Sequence, residues 1–468
     1  MDLSVEKREG FTALAIQSDA LRVTVLPELG GKIVNIIDLS SGRDVLWHNP
    51  CRPYKWRRLG DRFEDHDFSG FDECLPTIAP CPYPEAPWRG ILLPDHGDAW
   101  TQAWEWWFEE ESLGMRVRGI QLPYVLDRRI ALQMGSTLFL SYCLANESPY
   151  PLHLTWSAHP LFAVGPGTRI LLPVVGQVYV DSSYGGRLGE PGSKHPWPIT
   201  CDKRGQHTDL SVTPPLEAGW ADKLYVTALR EGWAALYDPS NDYYVLLSFP
   251  LDVVPYLGIW LNAGGWPESN PVYHLALEPC TGYPDRLDVA VTSGTAMSLR
   301  PSETARWELV ITIGHGRVAG VIHESVEIHA SPACVWEALT REEQLRCWWG
   351  EGVRLEPWVG GAFVEPWQRE DGTLVITSGR VVEFVPARCL TLTWADEGWP
   401  GETWVAFHLV GIPEGTRLTV RHGGWEAFQA DEGTTLRETH RQGWRELLGL
   451  LTRWLEDSDR NSERPTCV

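Results

Sequence analysis

The stretch LRVTVLPELGGKIVNIIDLSSGRDVLWHNP, residues 21–50, sets the pattern for the first part of the chain. Apolar and polar side chains alternate at its start, the alternation breaks at the glycine pair 30–31, and it resumes up to a Ser-Gly turn at 41–42. A period of two is typical of β-strands, and small residues of this kind are typical of the turns between them. This stretch therefore predicts consecutive strands joined by short turns.

The same pattern continues to about residue 313. Gly, Pro, Asn and Asp separate most of the runs, and no long helical period lies between them. Many short strands without intervening helices predict a large antiparallel β-sandwich, taken here as one domain over residues 1–316. The further predicted strands cover 115–120, 129–133, 137–143, 152–157, 169–173, 223–229, 233–237, 243–249, 257–261, 272–278, 287–292 and 306–313.

The pattern changes near residue 315, where HGRVAG is typical of a short connector. After a strand at 321–330, SPACVWEALTREEQLRCWW predicts helices with Ser331 as N-cap and Pro332 at the first helical position. Six strands and a long amphipathic helix over 433–456 complete an α+β domain, residues 320–462, whose sheet we expect to curl around that helix and leave a cavity. Residues 463–468 are expected to be a disordered tail.

Composition excludes several classes of function. The 468 residues carry a formal net charge of −22 with a pI near 5.1, which argues against nucleic acid or an anionic membrane as a partner. The opening MDLSVEKREG has no apolar segment after its charges, and no run approaches the roughly 20 apolar residues of a membrane span. We therefore expect a soluble, cytoplasmic protein. Its 10 cysteines form no C-x-x-C pair and are expected to be reduced.

Three phrases hold polar residues that a plain structural role does not explain. The Pro-rich and Gly-rich loop 70–106 contains His96, and long ordered loops often carry function. His159 ends a strand pattern in PLHLTWSAHPLFAV, residues 151–164. Glu278 follows an apolar run in VYHLALEPCTGYPD, residues 272–285, where a carboxylate is costly unless it is paired or functional.

Five phrases stand in the order known from the aldose 1-epimerase, or galactose mutarotase-like, family: VLPELGGKIVNI, LPDHGDAW, SAHPLFAV, ADKLYVTAL and LALEPCTGYPD. The chain resembles this family over about residues 10–315. The resemblance implies a large antiparallel β-sandwich, the galactose mutarotase-like supersandwich, with a sugar on its concave face. It also implies an isomerase of carbohydrate metabolism that interconverts sugar anomers.

The resemblance also implies residue roles. Glu278 matches the catalytic base, and His159 matches the acid that protonates the ring oxygen. A base and an acid at the anomeric centre suffice for mutarotation, so no cofactor is expected. Each residue also has a plainer interpretation, because a strand-end histidine is often only a hydrogen-bonded structural residue.

The same resemblance places the sugar-binding residues. His96 and Asp222 match positions that bind hydroxyls, and Trp100 or Trp260 could stack on the apolar face of the ring. His96 could instead only tie down its loop, and Asp238 is a nearby alternative to Asp222.

The substrate is expected to be a neutral aldose. Many hexose and hexose-phosphate epimerases have an arginine after the His-Gly pair, whereas HGDAW has Asp98 and Trp100 there. Arg89 or Lys55 could supply that cation from elsewhere in the chain. The phrase DRFEDHDFSGFDE, residues 61–73, would also repel phosphate near the cleft. Its spacing matches no metal motif, so we interpret it as a solvated acidic loop and expect no metal, although a structural metal stays open.

The second domain resembles the helix-grip superfamily of START-like (SRPBCC) proteins, in the branch related to activators of the Hsp90 ATPase. The matching phrases include IHASPACVWEALTREEQLRCWWG, GGAFVEP, GTRLTVRHGGW and HRQGWRELLGLL. This branch implies a fold and no universal catalytic residues, and fold alone does not predict an Hsp90-related activity. Eleven of the 25 tryptophans lie in this domain, so a small apolar or aromatic ligand is one interpretation and ordinary core packing is the other.

Three alternatives stay open. The sandwich could be a sugar-binding or regulatory module without chemistry, it could catalyse another carbohydrate reaction, or the helix-grip domain could make the protein a sensor. Catalysis predicts that Glu278 and His159 face each other across an open cleft about one sugar ring wide, whereas burial of either in a salt bridge favours the binding module. The sugar, the helix-grip ligand and the oligomeric state do not follow from the sequence.

Overall fold

The computed structural model describes residues 2–109, 112–133, 136–173, 176–316, 318, 320–369, 371–425, 428 and 430–456. The chain forms two compact units, Met1–Gly316 and Arg317–Val468. The tail predicted at 463–468 lies outside the described residues. Among the described residues, no helix is long and apolar enough to span a membrane. The nine cysteines in this part of the chain are free thiols.

Almost all of the regular secondary structure in the N-terminal unit is β-strand. The first are β1 (Asp2–Arg8), β2 (Phe11–Gln17), β3 (Leu21–Leu26), β4 (Lys32–Asp38), β5 (Arg43–Asp44), β6 (Phe71–Cys74), β7 (Cys81–Pro82), β8 (Leu92–Leu93) and β9 (Glu105–Glu109). Next come β10 (Ser112–Arg118), β11 (Tyr124–Gln133), β12 (Thr137–Asn146), β13 (Leu152–Leu154), β14 (Ser157–Phe162), β15 (Arg169–Leu171), β16 (Gly176–Tyr184), β17 (Lys194–Trp197), β18 (Ile199–Cys201) and β19 (His207–Asp209). The last are β20 (Trp220–Val226), β21 (Trp233–Asp238), β22 (Tyr243–Ser248), β23 (Tyr256–Ala263), β24 (Tyr273–Cys280), helix α1 (Leu287–Thr292), β25 (Met297–Leu299) and β26 (Thr304–His315).

Two large antiparallel sheets form this unit. The first has 12 strands in the order β1-β2-β3-β4-β6-β14-β24-β23-β20-β16-β17, with β5 beside β4. The second has eight strands in the order β15-β21-β22-β26-β12-β11-β10-β9. One buried cluster takes side chains from both sheets, for example Ile33 and Leu277 from the first and Leu140 and Ile311 from the second. The predicted antiparallel β-sandwich is therefore confirmed.

Strands overlap the predicted runs with one exception. The segment 287–292 was predicted as a strand from its β-branched residues, and this was wrong, because it forms helix α1. Leu287 and Ala290 are its buried residues, three positions apart, which is the spacing of one helical face. Asp288 lies in the first turn, where a carboxylate interacts favourably with the helix dipole.

The C-terminal unit is the predicted α+β domain. Its elements are β27 (Ile322–Ile328), α2 (Pro332–Thr340), α3 (Glu342–Trp348), β28 (Arg354–Leu355), β29 (Ala362–Gln368), β30 (Leu374–Val385), β31 (Cys389–Asp396), β32 (Thr403–Ile412), β33 (Gly415–Gly423) and α4 (Ala430–Glu456). The seven strands form one sheet in the order β27-β33-β32-β31-β30-β29-β28. Ser331 is the N-cap of α2, as predicted, and its side chain accepts a hydrogen bond from the Cys334 N–H.

The core of this unit lies where α2, α3 and α4 pack on the sheet. Buried Trp444, Leu448, Leu451 and Leu455 lie on one face of α4, as the helical spacing predicted. They pack in one cluster with buried side chains of the strands, such as Phe407.

Candidate functional site

A cavity of about 270 Å³ opens on the face of the 12-stranded sheet that points away from the sandwich core. Strands β14, β24, β23, β20 and β16, which are neighbours in the sheet, supply its floor, and loops around residues 62–64, 78–80 and 95–96 supply its rim. Successive side chains of a strand point to opposite faces, so apolar residues enter the core while their neighbours face the cavity. The sequence-predicted residues His96, His159, Trp260 and Glu278 all line it.

Glu278 lies at the bottom of this cavity and is fully buried. Its Oε2 atom accepts a hydrogen bond from the ammonium group of Lys223. Within the described part of the chain, its Oε1 atom has no hydrogen-bond partner. Burial raises the pKa of Glu278 and the positive charge of Lys223 opposes this shift. The residue thus has one oxygen held by a cation and one oxygen free to take a proton.

His159 approaches that free oxygen from β14, so the two side chains lie almost in contact, and not across the cleft about one sugar ring wide that was predicted for catalysis. Its Nε2 atom is 3.7 Å from Glu278 Oε1. The Phe63 ring packs nearly perpendicular to the imidazole at 5.2 Å between centroids. Burial lowers the pKa of His159 well below its usual value, and the neighbouring His96 adds to this. The imidazole is therefore uncharged in most molecules at neutral pH, beside a carboxylate that can share a proton with it.

His96 lies on the rim, in the Pro-rich loop. Its backbone has a φ of 58°, a region that few non-glycine residues adopt. The imidazole stacks on Phe63 at 4.1 Å and its Nδ1 donates to Asp95 Oδ1 at 2.8 Å. Asp95 in turn accepts a hydrogen bond from the Phe63 N–H at 2.8 Å. These contacts orient His96 and hold it 5.1 Å from the His159 ring.

Trp260 forms a side wall of the cavity on β23. Its Nε1 donates to His274 Nε2 at 3.1 Å, and its ring meets Tyr184 and Trp266 edge-on. Burial lowers the pKa of His274 to about 3, so this imidazole stays neutral and keeps its acceptor for Trp260. The result is a fixed, partly exposed indole beside the catalytic candidates.

The structure does not bring Trp100 and Asp222 to the cavity. The described residues that line it do not include either one. Trp100 is fully buried beneath the rim, where its Nε1 donates to the Asp95 carbonyl at 2.8 Å. Asp222 is buried as well and binds Arg187 at 2.6 Å. Trp100 therefore supports the rim loop and Asp222 takes part in a separate ion pair, so neither is positioned to touch a sugar in this cavity.

The interpretation of residues 61–73 as a solvated acidic loop was wrong in its second half. Asp67 and Asp72 are buried, and each contacts both Lys32 and Arg57 at 2.5–3.0 Å. Burial raises the pKa of Asp67, but the two cations outweigh it and hold this pKa well below its usual value. The loop is thus anchored to β4 by a buried four-charge network, and Phe63 on the same loop is held against the two histidines.

Sequence reasoning missed Lys223, Asp285 and His274, which also line the cavity. Lys223 and Asp285 lie within phrases that were quoted for other residues, one position after Asp222 and seven after Glu278. A lysine inside the apolar strand run KLYVTAL was the available signal, because an unpaired buried cation is too costly to keep. His274 had no such signal, since a histidine in a strand is commonly structural.

Carboxylates outnumber cations among the described residues of the cavity. Arg62 and Lys223 are the cations, and the carboxylates are Glu64, Asp95, Glu278 and Asp285. Each cation already has a carboxylate partner, since Arg62 contacts Glu64 and Lys223 contacts Glu278. Over the described residues, no group of three or more His, Cys, Asp and Glu side chains is arranged to hold a metal ion.

The interior of the C-terminal unit is crowded with aromatic rings. Trp349 lies within 6.4 Å, centroid to centroid, of Trp348, Trp394 and Trp444. Its Nε1 donates to Glu365 at 2.8 Å, and burial raises the pKa of Glu365 to about 7. The rings pack largely on one another, and the ligand cavity expected from the sequence stays a prediction.

The two units are similar to different groups of known proteins. Residues 329–456 match the family model described as Activator of Hsp90 ATPase homolog 1-like protein. No curated protein matches the chain in sequence.

Solved structures match about two-thirds of the chain. A candidate aldose 1-epimerase from Klebsiella pneumoniae is 18% identical, with 66% of this chain and 81% of that chain covered and a TM-score of 0.50. One from Escherichia coli K12 is 17% identical, covering 67% of this chain and 100% of that chain, with a TM-score of 0.48. A galactose mutarotase-like protein from Lactobacillus casei is 16% identical, covering 64% and 100%, with a TM-score of 0.46. At these identities the likeness concerns the fold alone: the N-terminal unit has a mutarotase-like fold, fused to a helix-grip domain as predicted.

Proposed function

We propose that the N-terminal unit is an aldose 1-epimerase that interconverts the anomers of a neutral sugar by acid–base catalysis. The observation that carries the proposal is the pair of Glu278 Oε1 and His159 Nε2, 3.7 Å apart on the wall of an open cavity. A carboxylate and an imidazole at this separation can reach two neighbouring oxygens of one sugar ring. The mutarotase-like fold agrees with this chemistry but assigns no residue roles.

The proposed reaction moves two protons. Glu278 Oε1 takes the proton of the C1 hydroxyl while His159 Nε2 gives a proton to the ring oxygen. The bond from C1 to the ring oxygen breaks, and C1 becomes an aldehyde carbonyl. After rotation about the C1–C2 bond the same transfers run in reverse, and the ring closes on the other face of C1. The reactive molecules are therefore the fraction in which His159 is an imidazolium and Glu278 is a carboxylate; ring opening leaves a neutral imidazole and a protonated Glu278, so the pair keeps one transferable proton throughout.

The substrate class follows from the charge and size of the cavity. Each cation on its wall has a carboxylate partner, so a phosphate would meet a surplus of negative charge. A volume of about 270 Å³ is at or below the lower end of the roughly 300–1,000 Å³ of most ligand pockets, which favours a single sugar ring. We assign hydroxyl binding to His96 and Asp285, and stacking on the ring to Trp260.

A sugar-binding module without catalysis is the second candidate. The observation that favours it is the ion pair between buried Glu278 and Lys223, because a carboxylate neutralised by a lysine is a weaker base. In that case the cavity would bind a sugar, and anomers would exchange no faster than in buffer. The two candidates share the substrate class and differ in one measurable rate.

We also propose that the C-terminal unit binds a small apolar or aromatic ligand, or a partner. Its aromatic interior supports this, as does Glu365, a carboxyl beside Trp349 whose pKa burial raises to about 7. Quenching of tryptophan fluorescence by a panel of small aromatic acids and amines tests it. A change abolished by Glu365→Gln supports binding in the interior, and unchanged fluorescence with every compound contradicts it.

Anomer exchange measured by NMR on a panel of neutral aldoses tests the main proposal. The wild type is expected to accelerate exchange of at least one sugar, and Glu278→Gln to reduce that acceleration by about 10²–10⁴-fold because it removes the base. Glu105→Gln is the matched control, since Glu105 is exposed on β9 of the other sheet. Binding of a sugar without accelerated exchange would establish the binding module instead.

A further inference from the structure

Lys223 and Glu278 do not lie on neighbouring strands. Lys223 is on β20 and Glu278 is on β24, and β23 runs between them in the sheet. In the register of the sheet, Lys223 is opposite Trp260 and Glu278 is opposite Gly258, both on β23. Their side chains must therefore cross the width of β23 to meet.

The crossing is possible because residue 258 is a glycine. A Cβ atom placed there would lie 3.2 Å from Glu278 Cβ, 3.3 Å from Glu278 Oε2 and 3.3 Å from Lys223 Cε. Each of these separations is tighter than an ordinary van der Waals contact, so one of the neighbouring side chains would have to shift. Gly258 thus leaves a gap of one side chain, and the ion pair fills it.

Lys223 is also shared between two carboxylates. Its Nζ is 3.6 Å from Asp285 Oδ1, in addition to its contact with Glu278. Asp285 accepts a further hydrogen bond from the Tyr225 hydroxyl. Burial disfavours the charged ammonium, but Asp285 and Glu278 together raise the pKa of Lys223 above its usual value. The lysine is consequently a fixed cation with little freedom to leave Glu278.

We propose that Lys223 is a positioning residue for the base: reaching across Gly258, it holds Oε2 of Glu278, keeps the buried carboxylate ionised, and leaves Oε1 as the proton-accepting atom opposite His159. This inference rests on the proposed mutarotase function and adds a residue to it. It also reconciles the ion pair with catalysis, because a fully buried glutamate without a cation would be protonated and could not act as a base.

The charges of the titratable groups around Glu278 determine how strongly its ionisation depends on Lys223. Those whose charges act on it or on Lys223 are Cys74 on β6, His96 in the rim loop, His159 on β14, Asp181 on β16, Tyr225 on β20, Cys280 on β24 and Asp285 after β24. Asp285 opposes ionisation of Glu278 because it is itself a carboxylate, and the histidines lack a permanent charge. Lys223 is therefore the fixed positive charge among them.

The test compares Lys223→Met with Lys223→Arg in the full-length protein. Lys223→Met is expected to lower kcat for anomer exchange at neutral pH by about 10²–10⁴-fold, the range of a lost general base, with a much smaller change in KM. The acidic limb of its pH profile should move to higher pH, because Glu278 then needs a higher pH to ionise. Lys223→Arg keeps the charge and should keep the position of that limb. An unchanged acidic limb in Lys223→Met would overturn the proposal.

Two further measurements keep the proposal testable if Lys223→Met folds poorly or if the wild type is inactive. Gly258→Ala should move the acidic limb in the same direction by a smaller amount, whereas Gly165→Ala, where an added Cβ meets open space, should not. The 13C chemical shift of the Glu278 carboxyl should titrate at higher pH in Gly258→Ala and Lys223→Met than in the wild type. If the wild type is inactive but the variants still titrate at higher pH, the proposed mutarotase function is refuted and the role of Lys223 in keeping Glu278 ionised is retained. If all three proteins titrate at the same pH, the role of Lys223 is refuted and the mutarotase function is not.

Discussion

Asp222 and Lys223 are neighbours in the chain, yet their side chains lie on opposite faces of β20. Asp222 binds Arg187 and Ser183, away from the cavity, while Lys223 enters the cavity and contacts Glu278. The alternation of a strand makes this unavoidable, since adjacent side chains point in opposite directions. One position in the sequence thus separates a structural ion pair from the candidate active site.

Replacing Asp222 by Asn should affect folding far more than sugar turnover. Arg187 would lose its partner while remaining largely buried, and breaking a buried pair typically costs about 3–5 kcal/mol. Denaturant unfolding should show a loss of this order, while kcat/KM of the folded fraction stays within about threefold of the wild type. A large rise in KM at unchanged stability would instead mean that Asp222 touches the sugar.

Substitutions of His159 and His96 should affect different kinetic constants, kcat for His159 and KM for His96. His159→Gln is expected to lower kcat by about 10²–10⁴-fold with little change in KM, because an amide cannot give up the proton that the ring oxygen needs. His96→Asn should mainly raise KM, since His96 is assigned to binding. Steady-state anomer exchange of both variants measures this split. The opposite split would exchange the two roles.

Substitutions of Trp260 and Trp100 should have different effects, the first on sugar binding and the second on stability. Trp260→Ala should weaken sugar binding by about twofold to twelvefold, the effect of losing one aromatic stacking contact of roughly 0.5–1.5 kcal/mol. Trp100→Ala should lower the free energy of unfolding by about 3–5 kcal/mol, because Trp100 is completely buried. Titration calorimetry and denaturant unfolding of both variants check this. Equal loss of binding without loss of stability in Trp100→Ala would contradict the structure.

His274 should make the N-terminal unit less stable in mild acid. Its pKa is lowered to about 3 in the folded protein and is about 6.5 in an unfolded chain, so the unfolded chain binds the extra proton between these values. The contribution of neutral His274 to the free energy of unfolding is fully present above about pH 6.5. It decreases as the pH is lowered from there toward pH 3. From about pH 7 to about pH 5 this one group should cost about 2 kcal/mol.

His274→Gln tests that contribution. Glutamine keeps an acceptor for the Trp260 indole but does not titrate in this range. Urea unfolding of the N-terminal unit at both pH values should therefore show a loss about 2 kcal/mol smaller in the variant than in the wild type. The same pH dependence in both proteins would mean that His274 is not buried as a neutral imidazole.

Much of the architecture was readable from the sequence because it depends on local periodicity. Alternating runs separated by Gly and Pro predicted the strands, and the caps and spacing around Ser331 predicted α2. Segment 287–292 was wrongly predicted as a strand because β-branched residues favour strands locally. It forms a helix, because only a helix buries Leu287 and Ala290 on one face.

The candidate site was only partly readable. His96, His159, Trp260 and Glu278 were found through their phrases, and the cavity brings them together. Asp222 was selected instead of Lys223 because the sequence does not show which face of β20 lies toward the cavity. Asp67 and Asp72 were read as solvated because their partners, Lys32 and Arg57, become neighbours only after folding.

The sequence by itself determined the strand pattern, the division near residue 316 and the chemical groups available for acid–base work. Only the tertiary structure decided which of those groups meet. Pairing across β20, β23 and β24 brings Lys223 to Glu278 over a glycine, and packing of the loop that carries Phe63 brings the two histidines together. Periodicity is a property of near neighbours along the chain, whereas ionisation of a buried carboxylate depends on charges that are distant in sequence and close in space.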